Sequence, residues 1–499
     1  MSDLSNEELP EGWAKATLKD VATTRLGKML DAAKQKNGRQ LPYLRNVNVR
    51  WGSFDLSDLL TMAFAVGEFD EFSLRSGDVL ICEGGEPGRS AVWRETTTDL
   101  KFQKALHRVR LGPGICPEWL AFQLRLDALS DQLEEYFTGS TIKHFTGVSL
   151  ARYRFPIPPS AEQRRIVAAV EQVLEKVAAA HEKLERVLNT LRWFRQAVLA
   201  AACSGRLTVD WRELNQNEET PVLPAFDRTS GADAVPELPE YPEHWCLTSV
   251  GACSELVQYG TSDRSDPSGV VPLLRMGNIQ EGRVVFDDLK MVGEKLPGLS
   301  NLLLEHGDLL FNRTNSPELV GKSGVFESDE RMTFASYLIR VRCKSGSVDS
   351  RLLCWWLNSP WGREWAAKVR TDGVSQSNIN GTKLKQMPVL VPPLTEQNEI
   401  IRRGAALLAL ADAIEQNANS ALGRVKLLTQ TVLTKAFRGE LVPTEAELAR
   451  REGRSYEPAS ELLARLKVSV NGEAKRSRAK KTSKRSSTSG EGLLEFMEG

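Results

Sequence analysis

Asn358-Ser359-Pro360-Trp361 has the residue types with which an adenine methyltransferase holds a base swung out of the duplex, an amide for the ring edge and an aromatic face. That chemistry also needs a glycine-rich turn after a strand, where backbone amides hold the methionine cofactor, and no such turn precedes it. The Trp- and Leu-rich helical surroundings make Asn358 a cap or turn residue. Gly84-Gly85-Glu86-Pro87-Gly88-Arg89 follows a strand-like run and has the composition of a phosphate cradle. It lacks the G-K-[ST] ending and Pro87 removes an amide donor, so a tight hairpin is expected. Glu134 and Glu135 lie in helical sequence and read as a solvated face, not a nuclease cluster. The seven cysteines are scattered with no C-x-x-C pair, and the five histidines are equally dispersed. Neither a zinc site nor a disulfide framework follows. No catalytic residue, metal ligand or bound cofactor is assigned to this chain.

Reading a base edge asks for Arg at guanine and Asn or Gln at adenine, whereas phosphate contacts only position. The first half offers Arg45, Asn46, Asn48, Arg50, Arg89 and Lys143; the second offers Arg275, Asn278, Arg313, Asn315, Gln376 and Asn378. Each could equally serve as a loop hydrogen bond. Lys and Arg number 65, as do Asp and Glu, but binding depends on where charge clusters, so a zero total leaves nucleic acid open.

The elements that must carry these residues occur twice. LPEGW at Leu9 returns as YPEHW at Tyr241, and LPYLRNVNV at Leu41 as VPLLRMGNI at Val271. SGDVLI at Ser76 returns as HGDLLF at His306, and HRVRL at His107 as IRVRC at Ile339. FPIPPSAEQRRI at Phe155 returns as MPVLVPPLTEQNEI at Met387, and QAVLAAACSGRL at Gln196 as QTVLTKAFRGEL at Gln430. The offset stays at about 230 to 234 residues, which reads as a tandem duplication and not a solenoid. Strands are expected at Asp78–Gly84, Ala105–Leu111, Asp308–Thr314 and Tyr337–Cys343. Helices are expected at Pro117–Phe137 and Arg351–Val369, the latter broken near Pro360. The polar loops Gly139–Leu150 and Gly373–Leu384 differ most between copies.

Each copy then runs into a long helix. Ile166, Val170, Val173, Val177, Ala180, Leu184, Val187, Leu191, Phe194 and Val198 step by four and three, the a/d pattern of a helix packed along a partner. Ser160 and Gln163 suit a capping box at its start, and Gly205 a stop. The aligned positions Ile400, Gly404, Leu407, Ala411, Ile414, Ala418, Ala421, Val425, Leu428 and Val432 keep the phase with smaller residues, which would let two backbones approach. About 40 residues at 1.5 Å each make a rod on the order of 60 Å long. Two similar units related by an approximate dyad would lay the helices antiparallel and suit an approximately dyadic duplex.

Over about residues 9–441 this order of motifs resembles the specificity subunits of type I restriction–modification systems. PP-x-x-EQ is similar to that family's helix start, LPEGW and YPEHW resemble its domain starts, and Gly77–Trp93 and Gly307–Phe326 look like its strand-loop-strand. The resemblance implies an α+β fold: two globular mixed α/β target recognition domains separated by two long helices packed as an antiparallel coiled coil. It implies an N-terminal tail (1–11), recognition domain (12–158), spacer helix (159–206) and linker (207–243), followed by a second domain (244–392) and second helix (393–440). A short-helix extension (441–467) and a basic disordered tail (468–499) complete it. Each domain would read one half of an interrupted sequence in double-stranded DNA, with helix length setting the gap.

Gln163, Ile166, Val170, Val173, Val177, Leu184, Leu191, Gln397, Ile400, Leu407, Ile414 and Leu428 would form the spacer and dock partners. The resemblance implies two modification (methyltransferase) subunits using S-adenosylmethionine, and two translocase–nuclease subunits using ATP and Mg²⁺. A specificity protein paired with a fused methyltransferase–nuclease, a free-standing adenine methyltransferase and a protein-binding scaffold are the alternatives. The polar start Met1–Glu11 and the absence of an apolar run of about 20 residues make a cytoplasmic protein without a membrane span the expectation. Ala474–Ser487 is basic and Ser-rich, suited to loose phosphate attraction or to solubility, and Leu493–Phe496 to docking a partner.

Overall fold

A computed structural model describes residues 8–30, 38–96, 99–216, 219–227, 235–374 and 376–466. The fold mixes helix and strand, and its longest elements are two helices of 44 residues each, Ser160–Cys203 and Leu394–Phe437. The chain divides into two compact units, residues 1–183 with 421–499, and residues 184–420. The expected basic tail, with its terminal Leu493–Phe496, lies outside the described residues.

In the first unit, β1 (Ala14–Thr17), β2 (Ala22–Leu26), β3 (Arg39–Leu44), β4 (Leu60–Phe64), β5 (Val79–Cys82), β6 (Ser90–Val92), β7 (Lys101–Phe102), β8 (Leu106–Leu111) and β9 (Arg154–Ile157) build three sheets. An antiparallel sheet in the order β2-β8-β5-β6 holds two of the expected strands. β5 is buried at every position, as its unbroken apolar run requires. β3 pairs with β4 antiparallel and β7 parallel, and β1 closes on β9. The helix Pro117–Leu129 lies on β5 and β6. Its Trp119 is fully buried, edge-on to Trp13 at 5.5 Å and 4.0 Å from the Phe437 ring. Burial of such a side chain contributes about 1.5–3 kcal/mol.

Two readings of this unit change. The 441–467 segment is part of the core and not an appendage: Ala459, Leu462, Leu463 and Leu466 are buried with Trp119 and Ile115. An exposed-looking short amphipathic helix found a face because Gly112 and Gly114 leave room for Leu466 and Leu462. The segment 1–11 also contributes, since Leu9 packs on the same cluster.

In the second unit the strands Ser254–Tyr259, Leu338–Cys343, Leu309–Asn312 and Ser323–Val325 are hydrogen-bonded in that order, the order of β2-β8-β5-β6. The helix expected at 351–369 is two helices, Ser350–Asn358 and Pro360–Val369, broken where Pro360 lacks a donor. The 207–243 segment is not a free linker in its described parts. Leu207, Leu223, Leu238 and Tyr241 pack on this unit's core, and Thr248 Oγ1 donates to the Pro224 carbonyl at 2.6 Å.

The long helices enter both cores. In the first unit Ile166 and Val170 are buried with Leu433 and Phe437; in the second, Ala202 and Cys203 with Ile400 and Ile401. Along the first helix Leu191 and Val198 are buried and Val173, Val177 and Leu184 half-buried, while Val187 of the same stripe is 38% exposed. Along the second, Ile400, Gly404, Ala411 and Ala418 are buried and Leu407, Ala421, Val425 and Val432 half-buried, whereas Ile414 is 40% and Leu428 48% exposed. Gly404 also serves a different end. The space where its Cβ would stand is taken by the Trp355 ring, 2.5 Å from that point, and not by a second backbone.

Candidate nucleic-acid interface

In the first unit the loops carrying the expected DNA contacts come together. The turn Asn46–Asn48 is closed from inside by Asn48, whose Oδ1 accepts from Arg45 N at 2.9 Å. Its Nδ2 donates to the carbonyls of Asp55 and Asp58, each at 2.9 Å. Asn48 is 2% exposed and fully engaged, so it shapes the loop and is corrected from a base contact to a structural residue. Asn46 reaches the next loop, its Nδ2 3.5 Å from the Gly84 carbonyl.

Residues 84–89 form the expected hairpin between β5 and β6. Gly88, at φ +90°, would put a Cβ 2.5 Å from Leu133. Arg89 donates to the Asn46 carbonyl at 2.8 Å and pairs with Glu86 at 2.7 Å. Phe145 N donates to Glu83 O at 2.8 Å, which brings the 138–145 loop and Lys143 alongside.

The second unit assembles the corresponding loops with different chemistry. Asn278 repeats Asn48: 3% exposed, accepting from Arg275 N at 2.9 Å and donating to Val285 O and Asp287 O. It too is corrected to a structural role. The strands Thr314–Asn315, Ser377–Asn378 and Thr371–Asp372 form a small sheet. Arg313 lies 4.8 Å over the Tyr259 ring and 3.3 Å from Asn378 Oδ1, and Asn378 Nδ2 donates to Thr314 Oγ1 at 2.8 Å. Asn315 Oδ1 accepts from Ser316 N at 2.8 Å, and Gln376 is exposed beside this sheet. Tyr259 is a platform that sequence reasoning missed, since a tyrosine ending a strand carries no signal of its own.

Most cations here already have a carboxylate. Arg45 pairs with Asp58 at 2.6 Å, Arg275 with Asp288 at 2.9 Å, and Lys143 with Glu134. Arg50, 54% exposed and 3.4 Å from Asp55, is the least committed. Burial pushes the Lys322 ammonium, the counterpart of Arg89, below its usual range. Asn358 accepts from Ser323 N at 3.2 Å and donates to Ser323 O and Cys354 O, while Ser359 caps the helix that follows. The residues that suggested base gripping are held by their own backbone. Among the described residues no three His, Cys, Asp or Glu side chains group as metal ligands, and all seven cysteines are free.

The PP-x-x-EQ segments work inward. Gln163 accepts from Cys116 N at 2.8 Å and donates to Pro158 O at 2.8 Å; Gln397 accepts from Asp349 N at 2.8 Å and donates to Ser347 O and Pro392 O at 2.9 Å. Both are buried, so neither is a docking surface, and Gln163 makes no capping box: the helix begins at Ser160, whose Oγ donates to Gly114 O at 2.6 Å. The neighbouring glutamates, unremarked in the sequence, are 0% exposed, Glu162 accepting from Trp13 Nε1 and Glu396 from Trp245 Nε1, both at 2.8 Å. Among the described residues no helix is long and apolar enough to cross a membrane.

The family described as type I restriction modification DNA specificity domain matches residues 10–189. The chain is 29% identical to the StySPI type I restriction enzyme specificity subunit of Salmonella potsdam, over 88% of this chain and 91% of that one. It is 29% identical to the EcoKI specificity subunit of Escherichia coli K12, over 88% and 91%. A solved structure described as the basis of complex assembly and conformational transition of the type I R-M system superposes with a TM-score of 0.62 at 18% identity, over 87% of this chain and 100% of that one. With the fold and the loop clusters, these matches make the chain similar, over most of its length, to the specificity subunits of type I restriction enzymes.

Proposed function

We propose that this chain is the address-reading subunit of its system: each unit's recognition module reads one half of a bipartite DNA target, and the two long helices set the unread gap. The single observation that carries the reading is the recurrence, in both units, of one scaffold with different loop chemistry. The turns closed by Asn48 and Asn278 are alike, whereas the first unit presents Asn46, Arg50, Arg89 and Lys143 and the second Arg313, Asn315, Gln376 and Asn378. Shared frames with unlike loops suit two half-sites of unlike sequence, and a tandem duplication with an antiparallel helix pair is the simplest source of them.

Chemistry then falls to partners. Two modification subunits docked along the helices would methylate adenine with S-adenosylmethionine, and two translocase–nuclease subunits would act with ATP and Mg²⁺, in the cytoplasm. Exposed Ile414 and Leu428 suit such docking. The test is to co-express the chain with its modification subunits and map methylated adenines across the host genome. The expected result is one motif of two short halves separated by a fixed gap. A contiguous motif, or methylation without sequence preference, overturns the reading. Methyl transfer by the purified chain alone would favour a free-standing methyltransferase, and a partner that co-purifies as one polypeptide with both activities would favour a fused one.

A further inference from the structure

We infer that Ile142 reads a thymine by its methyl group, an inference that rests on the proposed DNA-reading role of the first unit. The side chain stands at the tip of the 138–145 loop and is 66% exposed. The loop beneath it is closed: Thr138 and His144 exchange backbone hydrogen bonds at 2.9 Å in both directions. Gly139 takes φ +95° with an ideal Cβ 2.3 Å from the Ile142 carbonyl, so only glycine fits the turn. Phe145 N anchors the base of the loop to Glu83 O, and the His144 ring fills the space over Gly84. Ile142 is therefore held out in water by fixed backbone, with no rearrangement needed to present it.

The charges around it indicate what it meets. Lys143 beside it is paired with Glu134, Arg89 with Glu86 and Arg45 with Asp58. Cations so compensated are weak phosphate contacts, since each would have to leave a carboxylate. An aliphatic side chain gains nothing from phosphate. On a duplex, the apolar group on the major-groove edge is the thymine C5-methyl, and apolar side chains contact it there. Val47, 46% exposed on the Asn46–Asn48 turn, gives a second aliphatic group on the loop that Asn46 and Gly84 link to this one.

The test uses the full chain with its modification subunits and the host genome as probe, comparing wild type with Ile142→Val, Ile142→Ala and Ile142→Asn. Because Ile142 is exposed, all four should melt together. The expected result is an unchanged motif for Ile142→Val. For Ile142→Ala and Ile142→Asn, discrimination should fall about fivefold or more at one T·A position of one half-site, the other half being unaffected. A duplex of the mapped motif with deoxyuridine at that thymine should then weaken the wild-type complex and leave the Ile142→Ala complex unchanged. Wild-type motifs from all variants, relaxation at a G·C position, or relaxation in both halves overturns the inference while leaving the DNA-reading role standing. A wild-type complex with no bipartite motif overturns both.

Discussion

The indole Nε1 of Trp13 donates to the carboxylate of Glu162 at 2.8 Å, both side chains being buried, and Trp245 does the same to Glu396 at the same distance. The two ends of each bond lie about 150 residues apart in sequence and within two of the repeated segments. The surroundings differ. Glu162 also accepts from Glu445 N, whereas Glu396 accepts from Thr208 Oγ1 and Arg212, with His244 Nε2 at 2.9 Å. Burial pushes the Glu162 carboxyl above its ordinary 4.5. Burial acts the same way on Glu396, but its four side-chain donors outweigh it and hold the group below 4.5.

These opposite shifts predict opposite responses to acid. Stability from Glu162 is present below pH 4.5 and is lost as pH rises through its raised folded value; that from Glu396 is present above pH 4.5 and is lost as pH falls through its lowered one. At neutral pH, Glu396→Gln should cost about 2–3 kcal/mol because Arg212 is left facing an amide, and Glu162→Gln about 1 kcal/mol or less. Thermal unfolding from pH 7 to pH 4 checks it. The deficit of Glu396→Gln should shrink with acid and that of Glu162→Gln should grow; parallel curves would refute the assignment.

Much of the frame was legible in the sequence because it rests on local periodicity. Val79–Cys82, Leu106–Leu111 and Leu338–Cys343 form where apolar runs and alternation placed them, and the helix break falls at Pro360. What periodicity cannot carry is which repeated segment meets which. The Asp of each G-D segment is the partner of the second Arg in each R-V-R segment: Asp78 with Arg110 at 2.6 Å, Asp308 with Arg342 at 2.7 Å. Asn48 read as a base contact because a loop Asn looks the same whether it faces water or its own carbonyls. On the second helix the small residues of the expected stripe, Ala411 and Ala418, are buried while its larger Ile414 and Leu428 stay exposed, a difference that periodicity alone does not carry.

Asp127 offers a sharper test in the first unit. Burial raises its carboxyl to about 6, although Tyr153 OH and Gln123 Nε2 both donate to it. The stabilising protonated form is fully present below pH 3.8 and is lost as pH rises through about 6. Wild type should therefore gain roughly 1.4 kcal/mol on going from pH 7.5 to pH 5 from this group. Asp127→Asn should flatten that part of the curve in thermal unfolding, and an unchanged slope would show that Asp127 is ionised throughout.

In the second unit Arg195 on the first long helix is 13% exposed and lies 2.6 Å from both Asp412 and Glu415, and 3.5 Å from Glu281. Arg195→Met leaves those carboxylates facing one another, with Arg283 still paired to Asp412. Hydrogen exchange over 192–199 should speed by about tenfold or more, as a loss of about 1.5–3 kcal/mol requires. Adding Asp412→Asn and Glu415→Gln should recover part of that protection, because the repulsion goes with the charges. Equal exchange in the single and triple variants would mean that the guanidinium acts by packing alone.

Gly404 sets two effects against each other. In an exposed helix, Gly→Ala stabilises by about 1 kcal/mol. Here the added Cβ would stand 2.5 Å from two atoms of the Trp355 ring, which must then move into the cleft of about 1030 Å³ that it lines. Forcing a side chain from a packed position costs about 1–3 kcal/mol, so the steric effect wins. Gly404→Ala should lower the unfolding temperature in the wild-type background. In a Trp355→Ala background nothing opposes the new methyl group, and the same substitution should raise it. The two results differ by a coupling of about 2 kcal/mol, which a double-mutant cycle reads directly. Stabilisation by Gly404→Ala in both backgrounds would mean that Trp355 swings away freely, and that the glycine is not there to receive it.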